Sequence, residues 1–363
     1  MLTGMTALHV PVVWSPRTRE HDPKNEIWVG VPTAGTEVSA RVDAILVALD
    51  AAGHARVEAE PHDDAALLAV HSAELVEHLR GVHAEWLEGD YVELVGQDRV
   101  VPYFFPTEAM LDGLPGHRAA AVHARAGQFG YDTMTLVGPR TWAAARAAAD
   151  CALTAVDLVV GGAPLVYALS RPPGHHVTRS AFGGSCYLNN AAAAAQALRD
   201  SGHARVAVID LDAHHGNGTA AIFYDRSDVL YGSVHVDPGA GWFPHVVGFA
   251  NETGKGAGVG RTLNLPLAPG TVDREWCTEV GRLRDWVAAA SSTALVVSLG
   301  VDAAATDPES PLQVTEEGYR EAGRLLAALE VPAVVVQEGG YHLPSLGGLV
   351  AAYLVGHRTR IAG

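Results

Sequence analysis

The feature that most constrains the fold is an alternation of short, β-branched apolar runs with Ala- and Leu-rich segments of helical period. Fully apolar runs are typical of parallel strands buried on both faces, and the helical segments between them supply the crossovers. No internal repeat or low-complexity linker divides the chain. The pattern therefore predicts one doubly wound α/β domain over residues 1–363. The predicted strands are 8–14, 164–169, 205–211, 229–235, 294–301 and 332–337, and the predicted helices are 40–52, 64–88, 141–160, 189–201, 272–290, 315–330 and 345–356.

Residues 89–135 fit this alternation poorly, because they carry prolines and aromatic residues without a clear period. A stretch this long without regular structure is more often functional than idle in a compact domain. We therefore expect a long loop excursion from the core.

Polar clusters follow four of the predicted strands at the point where each strand ends. They are R-P-P-G-H-H at 171–176, D-L-D-A-H-H at 210–215, Asp302, and E-G-G-Y at 338–341. In open parallel sheets, ligands bind in the crevice beyond the carboxyl ends of the strands. We therefore expect these four clusters to form one site.

Three residues of these clusters are candidate metal ligands. Asp212 and His214 are two residues apart, a spacing that turns both side chains to the same side of an extended backbone. Asp302, from another strand end, supplies a third ligand and leaves positions open for water and substrate, as a catalytic site requires. Taken alone, the Asp212–His214 pair would more often be a helix cap and a packed histidine.

The adjacent histidines His175 and His176 are candidates for acid–base work. One can act as general base on metal-bound water while the other assists the leaving group. Each needs an acceptor to fix its tautomer. Asp210 and Asn217 are the candidate acceptors, and a surface loop pair is the alternative interpretation.

Tyr341 follows two glycines that allow the backbone to approach the site. Its phenol could stabilise the oxyanion of a tetrahedral intermediate, although a lone tyrosine at a strand end is more often a core residue. The glycine-rich loop at 183–190 could line a substrate channel. Cys186 is expected to pack rather than to act as a nucleophile, since no separate base accompanies it.

The composition narrows the functional classes. The 25 Lys and Arg against 41 Asp and Glu give a net charge of −16, which argues against nucleic acids and anionic membrane surfaces as partners. The 3 cysteines show no metal-binding or disulfide pattern. No apolar run reaches the roughly 18–20 residues of a membrane helix, and residues 1–15 do not resemble a signal peptide. We therefore predict a cytoplasmic protein.

Together, these motifs resemble the histone deacetylase superfamily. The resemblance rests on R-P-P-G-H-H, G-G-x-C-Y-L-N-N, D-L-D-A-H-H-G-N-G-T, Asp302 and E-G-G-Y, and it extends from about residue 5 to the C-terminus. F-P-H at 243–245, E-T-G-K-G-A-G at 252–258 and S-L-G-V-D at 298–302 are most similar to the acetylpolyamine amidohydrolases of that superfamily. The resemblance implies an arginase-like fold with about eight strands.

The resemblance also implies roles for individual residues. Asp212, His214 and Asp302 would bind Zn²⁺ or Fe²⁺, and His176 would be the general base. Asp210 would pair with His175, and Tyr341 would polarise the scissile carbonyl. The superfamily's structural K⁺ site would include Asp210, Asp212, His214, Ser233 and Val234. In the polyamine relatives, the excursion at 89–135 narrows the channel and builds a homodimer.

Dimanganese ureohydrolases, which share this fold, are the rival interpretation. They need further carboxylates at positions that hold Gly216 and Gly300 here. One catalytic metal is therefore expected, and ureohydrolysis is disfavoured.

Departures from the family pattern concern the substrate. The resemblance implies a substrate channel lined by Gly184, Ser185, Cys186, Trp242, Phe243 and Gly339. Ser185 stands where an aromatic channel wall is usual, which predicts a wider or more polar channel. The stretch 127–136, where polyamine-specific relatives place acidic residues, offers Asp132 and Met134 but no Glu. Other acids considered for the cation gate are Glu26, Glu37 and Asp112, each also interpretable as an ordinary surface charge.

The leading hypothesis is hydrolysis of a small acetylated amine such as an acetylpolyamine. Acyl-lysine in peptides or proteins and a bulkier small-molecule amide remain alternatives. A metal-loaded protein that binds an amine without turnover is a hypothesis from another class.

Overall fold

The apolar runs assemble into one sheet in the computed structural model, which describes residues 9–358. Residue 8 of the strand predicted at 8–14 lies outside this range, as do the first and last residues of the family resemblance. The sheet has eight strands in the order β4-β1-β5-β10-β9-β6-β7-β8, all parallel to their neighbours. The strands are β1 Val12–Trp14, β4 Arg56–Glu58, β5 Leu165–Ala168, β6 Val206–Asp210, β7 Val229–Val236, β8 Thr262–Leu267, β9 Ala294–Leu299 and β10 Ala333–Gln337, while β2 Glu26–Trp28 and β3 Val31–Thr33 form a separate antiparallel hairpin.

Helices cover both faces of this sheet. Their bounds are α1 Ala40–Ala51, α2 Ala65–Val70, α3 Ala73–Glu88, α4 Tyr91–Val95, α5 Glu108–Leu111, α6 Val122–Phe129, α7 Thr141–Val160, α8 Asn190–Asp200, α9 Asn217–Phe223, α10 Asp273–Ala289, α11 Glu316–Ala327 and α12 Leu343–Arg358. The predicted doubly wound architecture with about eight strands is thereby confirmed. Within residues 9–358, no helix is both long and apolar enough to cross a membrane.

The alternating side chains of the strands form two apolar layers, one on each face of the sheet. In β6, Val206 and Val208 pack into one layer, whereas Ala207 and Ile209 pack into the other. Successive strand side chains point to opposite faces, so a strand buried on both sides must be apolar throughout. This explains why the strands predicted from continuous apolar runs are found in the sheet.

The helix predicted over 64–88 is wrong as a single element, because it is interrupted between α2 and α3. His71 has extended backbone angles, and the Ser72 hydroxyl caps α3 by accepting from Leu75 N. The buried His71 ring donates from Nδ1 to Thr178 O at 2.9 Å and accepts from Asn189 N at 2.9 Å. These long-range bonds favour the break, and the local helical period contains no sign of them.

Other elements were absent from the sequence prediction. The strands β2, β3, β4 and β8 and the helix α9 are found outside the predicted ranges. The excursion at 89–135 contributes no strand to the sheet, but it contains α4, α5 and α6 and is therefore not a continuous loop.

The sheet order explains where a site can form. The strands β5, β10, β9 and β6, which precede the four polar clusters, are consecutive neighbours near the middle of the sheet. Because all four are parallel, their carboxyl ends meet at one edge. The four clusters are therefore brought together by topology.

Candidate active site

Asp212, His214 and Asp302 converge at this edge of the sheet. His214 Nδ1 lies 3.2 Å from Asp212 Oδ1 and 3.1 Å from Asp302 Oδ2. One ligand atom from each residue lies within 4.8 Å of the others. Two buried carboxylates and an imidazole at this spacing form a donor set suited to a divalent cation, which would also offset their charge.

Backbone amides hold both carboxylates from behind. Gly339 N donates to Asp212 Oδ2 at 2.8 Å, and Ala213 N donates to Asp302 Oδ1 at 2.8 Å. A Cβ atom at Gly339 would lie 2.4 Å from Asp302 Oδ2, so only glycine permits this approach. The backbone thus fixes the two carboxylates before any ligand binds.

A second metal with its own carboxylates does not fit at this site. A Cβ atom at Gly216 would lie 2.2 Å from Asp210 Oδ2, and one at Gly300 would lie 2.1 Å from Asp212 Oδ2. The positions at which the ureohydrolases need carboxylates therefore lack both the residue and the space for it.

The adjacent histidines are buried side by side, with ring centroids 3.9 Å apart. His175 Nδ1 donates to Asp210 Oδ2 at 3.1 Å, and His176 Nδ1 donates to Asn217 Oδ1 at 2.7 Å. Because Nδ1 carries the proton in the neutral His176 ring, Nε2 of this residue is left as an acceptor. The two rings differ in their partners, one being a carboxylate and the other an amide.

This difference separates their protonation. Burial lowers the pKa of His175, but the carboxylates of Asp212 and Asp210 outweigh it and raise the pKa to about 10. Burial, together with the nearby His175 and His214, holds the pKa of His176 well below its usual value. Titratable neighbours whose pKa values are pushed apart are typical of acid–base sites.

The pKa values of the neighbouring carboxyl groups are shifted as well. Burial and the charge of Asp212 raise the pKa of Asp302 to about 7. Two carboxylates this close cannot both ionise easily without a compensating cation. Bound to a divalent ion, both would be held in the charged form.

Tyr341 lies opposite the histidine pair on the segment 338–342 that follows β10. Its pKa is raised well above the usual value because the phenol is buried, so the hydroxyl stays protonated as a donor. Arg41 of α1 donates from Nε to Gly340 O at 2.7 Å, and its guanidinium carbon lies 4.8 Å from the Tyr341 ring centroid. A buried arginine thus supports the tyrosine from beneath.

Above these residues opens a cavity of about 510 Å³, within the usual range for small-molecule sites. Its floor includes His176, His214 and Tyr341. The walls come from the β2–β3 hairpin and four separate loops. The remaining lining residues are Glu26, Trp28, Thr33, Ala34, Thr36, Met134, Gly184, Ser185, Gly241, Trp242, Phe243, His245 and Glu309.

Two carboxylates line this wall, Glu26 and Glu309. Within residues 9–358, neither forms an ion pair, and the cavity lining includes no Lys or Arg. Burial and the charges of Glu309 and Glu37 raise the pKa of Glu26 to about 7. The wall is therefore acidic without an internal counter-charge.

In a comparison with known protein families, residues 36–356 of this sequence match the histone deacetylase domain. The chain belongs to the histone deacetylase family. It is 37% identical over 346 residues to the acetylpolyamine amidohydrolase of Mycoplana ramosa, covering 95% of this chain and 98% of that protein. It is 40% identical over 328 residues to that of Burkholderia pseudomallei, covering 90% and 92%. The crystal structure of the acetylpolyamine aminohydrolase from Burkholderia pseudomallei superposes with a TM-score of 0.89 at 38% identity, covering 97% and 99% of the two chains.

Within this deacetylase-family chain, four of the six predicted channel residues line the cavity, namely Gly184, Ser185, Trp242 and Phe243. Cys186 and Gly339 are not lining residues. Cys186 is fully buried and its amide donates to Gly183 O, so its thiol belongs to the core. Gly339 lies against the carboxylates of the candidate metal ligands Asp212 and Asp302 instead.

The acids considered for a cation gate differ in their location and in their hydrogen-bond partners. Glu37 is buried against Arg41 and Arg171, and Asp112 is exposed and does not line the cavity. Asp132 accepts from Gly184 N at 2.6 Å and from backbone amides of its own turn, so its carboxylate supports the loop. Among those considered, only Glu26 lies on the cavity wall.

Sequence reasoning missed Glu309 and Arg41. Glu309 follows the candidate ligand Asp302 by seven residues in the loop beyond β9, and this position at a strand end was an available signal. Nothing comparable indicated Arg41, which lies inside a helix and contacts residues almost 300 positions away.

Proposed function

We propose that the chain is a metal-dependent amidohydrolase that removes an acetyl group from a small cationic amine, as in an acetylpolyamine. The observation that carries this proposal is the cavity itself, with ligand, base and phenol side chains at its floor and two unpaired carboxylates on its wall. The polyamine relatives support the same substrate class.

Asp212, His214 and Asp302 would hold the catalytic metal, for which we propose Zn²⁺, with Fe²⁺ as the alternative. A divalent ion there would supply Lewis-acid chemistry, polarising a carbonyl and making water more acidic. We also propose a structural K⁺ near Asp210, Asp212, His214, Ser233 and Val234. Asp210 and Ser233 are register partners in the neighbouring strands β6 and β7.

The chain's own groups would move the proton and hold the developing charge. His176, with Nε2 free to accept, would take a proton from the attacking water while Asn217 fixes its tautomer. The Tyr341 hydroxyl would donate to the carbonyl oxygen as negative charge develops there. The histidine pair would then return a proton to the departing nitrogen, which gives acetate and the free amine.

The acidic wall would select the substrate. A second ammonium group on the acetylated amine could lie near Glu26 and Glu309 with no competing cation in the cavity lining. A charge pair at a half-buried site is worth roughly 1 kcal/mol, which corresponds to about a fivefold preference.

The test compares acetylputrescine with N-pentylacetamide, in which a methyl group replaces the ammonium. With Zn²⁺ present, we expect kcat/KM for acetylputrescine to fall about fivefold in Glu26→Gln and in Glu309→Gln, while N-pentylacetamide is unaffected. Glu88→Gln removes the same charge from an exposed position outside the cavity and serves as the matched control. Equal losses with both substrates would contradict the proposed role of the acidic wall.

Ser185 favours a second candidate, a bulkier amide, because it leaves one side of the channel without an aromatic wall. A panel that includes an acetyl-lysine tripeptide and longer acyl chains separates these substrates. If no amide in the panel is cleaved but an acetylated amine raises the Tm and is recovered intact, the non-catalytic binding protein is supported. A cytoplasmic location and a homodimer remain predictions.

A further inference from the structure

Asp307 connects the floor of the cavity to its wall. This buried carboxylate lies in the loop beyond β9 and accepts three backbone N–H groups. Its Oδ2 accepts from Tyr341 N at 2.6 Å and from His342 N at 3.1 Å. Its Oδ1 accepts from Glu309 N at 3.1 Å. One side chain thus holds the main chain of both the phenol and the wall glutamate.

The opposite side of the Tyr341 segment is held by Arg41. Its guanidinium donates to Gly340 O and to Glu338 O, two carbonyls that precede the amides bound by Asp307. Gly340 has φ of +121°, and a Cβ atom there would lie 2.5 Å from Val301 Cγ2. The segment 338–342 is therefore fixed between a buried cation that takes its carbonyls and a buried anion that takes its amides.

Asp307 itself is not a lining residue of the cavity. It therefore does not contact a substrate in the cavity itself, whereas Tyr341 and Glu309, two residues that it holds, do line the cavity. Hydrogen bonds from backbone N–H to a carboxylate are charge-assisted and are stronger than bonds between neutral groups. Three of them at one buried carboxylate leave little freedom to the two segments they join.

We propose that Asp307 is a positioning residue that fixes the spacing between Tyr341 and Glu309, so that an amine bound at the wall has its carbonyl held at the phenol. This inference rests on the proposed function, because it assigns the two segments to opposite ends of one substrate. The substrate it favours is an acetylated diamine whose length matches that fixed spacing.

Asp307→Asn is the informative variant, because it keeps the shape of the side chain but replaces one acceptor oxygen with an NH₂ donor. That donor faces backbone N–H groups, so either Tyr341 and His342 or Glu309 loses its acceptor. A misplacement of about 1 Å at a reacting group can cost on the order of 10²-fold in rate. We therefore expect kcat for acetylputrescine to fall about 10-fold to 100-fold.

Double-mutant cycles distinguish positioning from loss of stability. If Asp307 acts through Tyr341, adding Asp307→Asn to Tyr341→Phe should lower kcat little beyond Tyr341→Phe alone. If it also acts through Glu309, the preference for acetylputrescine over N-pentylacetamide should shrink in Asp307→Asn toward that of Glu309→Gln. Asp273→Asn is the matched control, because Asp273 accepts from Thr315 N and neither residue lines the cavity. It should lower the Tm without changing kcat.

A readout independent of activity completes the test. In the folded Asp307→Asn protein, hydrogen exchange should accelerate in peptides covering 338–345 and 306–312, while peptides from β9 and β10 keep their protection. Unchanged exchange in both peptides, or full additivity of Asp307→Asn with Tyr341→Phe, would overturn the inference. A wild-type protein that hydrolyses no acetylated amine overturns the proposed function instead, and accelerated exchange would still support the structural link through Asp307.

Discussion

The floor and the wall of the cavity are built in different ways. The floor consists of buried side chains that follow four neighbouring parallel strands, and backbone amides fix their carboxylates. The wall combines the β2–β3 hairpin with loops that are far apart in the chain, and its carboxylates have no ion-pair partners among residues 9–358. From this difference we expect the chemistry to depend on residues placed by the sheet and the selectivity to depend on the loops.

The largest effect should follow from removing the proposed metal, because its candidate ligands Asp212, His214 and Asp302 all lie at the floor. We expect chelation to abolish amide hydrolysis and to lower the Tm, since an ion present at 100 times its Kd contributes about 2.7 kcal/mol to stability. Added Zn²⁺ should restore both. The measurements are activity and thermal melts of the same sample with and without Zn²⁺.

Asp302→Asn should lose this response to Zn²⁺, whereas Asp285→Asn, at an exposed surface position, should keep it. Activity that persists after complete chelation would contradict the proposed role of the floor, because the amide would then be hydrolysed without the metal.

Replacing one histidine of the floor and one histidine of the wall by alanine compares how much each part of the cavity contributes to kcat. His176→Ala should lower kcat by about 10²–10⁴, the usual contribution of a general base. His245→Ala, on the wall, should change kcat by less than about tenfold. Steady-state kinetics with a metal-saturated protein measures both. Similar losses in the two variants would show that the floor has no special role.

The same contrast explains how much could be predicted from sequence. The candidate ligands, the histidine pair and Tyr341 lie within short motifs at strand ends, so one correct inference about a parallel sheet brought them together. The fold and the family were predicted on the same basis and are confirmed. The roles of these residues remain predictions that the experiments above test.

The acids of the wall could not be assigned in this way. Glu26 and Glu309 are almost 300 residues apart, and each looks like an ordinary surface acid in its own segment. Asp132 lies in the stretch where acidic gate residues were expected, but its carboxylate accepts hydrogen bonds from backbone amides. Whether an acid faces a cavity or supports a loop depends on tertiary contacts that no local pattern encodes. The break at His71 within the helix predicted over 64–88 has the same cause.

Beneath the floor, Glu37 should make a large contribution to stability. Its carboxylate accepts from Arg171 Nε at 2.8 Å and from Arg41 Nη1 at 2.8 Å. Removing one partner of a buried ion pair costs about 3–5 kcal/mol, so Glu37→Gln should be destabilised by roughly that amount in urea unfolding. Glu316→Gln, which breaks an exposed pair with Arg320, should change stability by less than about 1 kcal/mol.

This contribution should depend on pH. Burial alone would raise the pKa of Glu37, but Arg171 and Arg41 lower it overall, below the usual 4.5. A carboxyl whose pKa is lowered by folding stabilises the protein above its unfolded pKa, and the stabilisation is lost as the pH falls through the folded value. The difference between wild type and Glu37→Gln should therefore be full at pH 7 and shrink below pH ~4.5. A constant difference across that range would contradict the ion-pair explanation.

On the wall, Glu26 should have a smaller effect of opposite sign. Burial and the charge of Glu309 raise its pKa from 4.5 to about 7, so the folded protein binds a proton that the unfolded chain has already released. Stability is then lost as the pH rises through this interval. Glu26→Gln should match wild type near pH 4.5 and be more stable by about 1 kcal/mol at pH 8, allowing for partial solvent screening. Urea unfolding at both pH values measures this, with Glu88→Gln as the control.

A variant that is more stable yet hydrolyses acetylputrescine less well would show that Glu26 is kept for its substrate at the expense of the fold, as expected of functional sites. A Glu26→Gln protein less stable than wild type at pH 8 would place this carboxylate among the supports of the structure, together with Glu37.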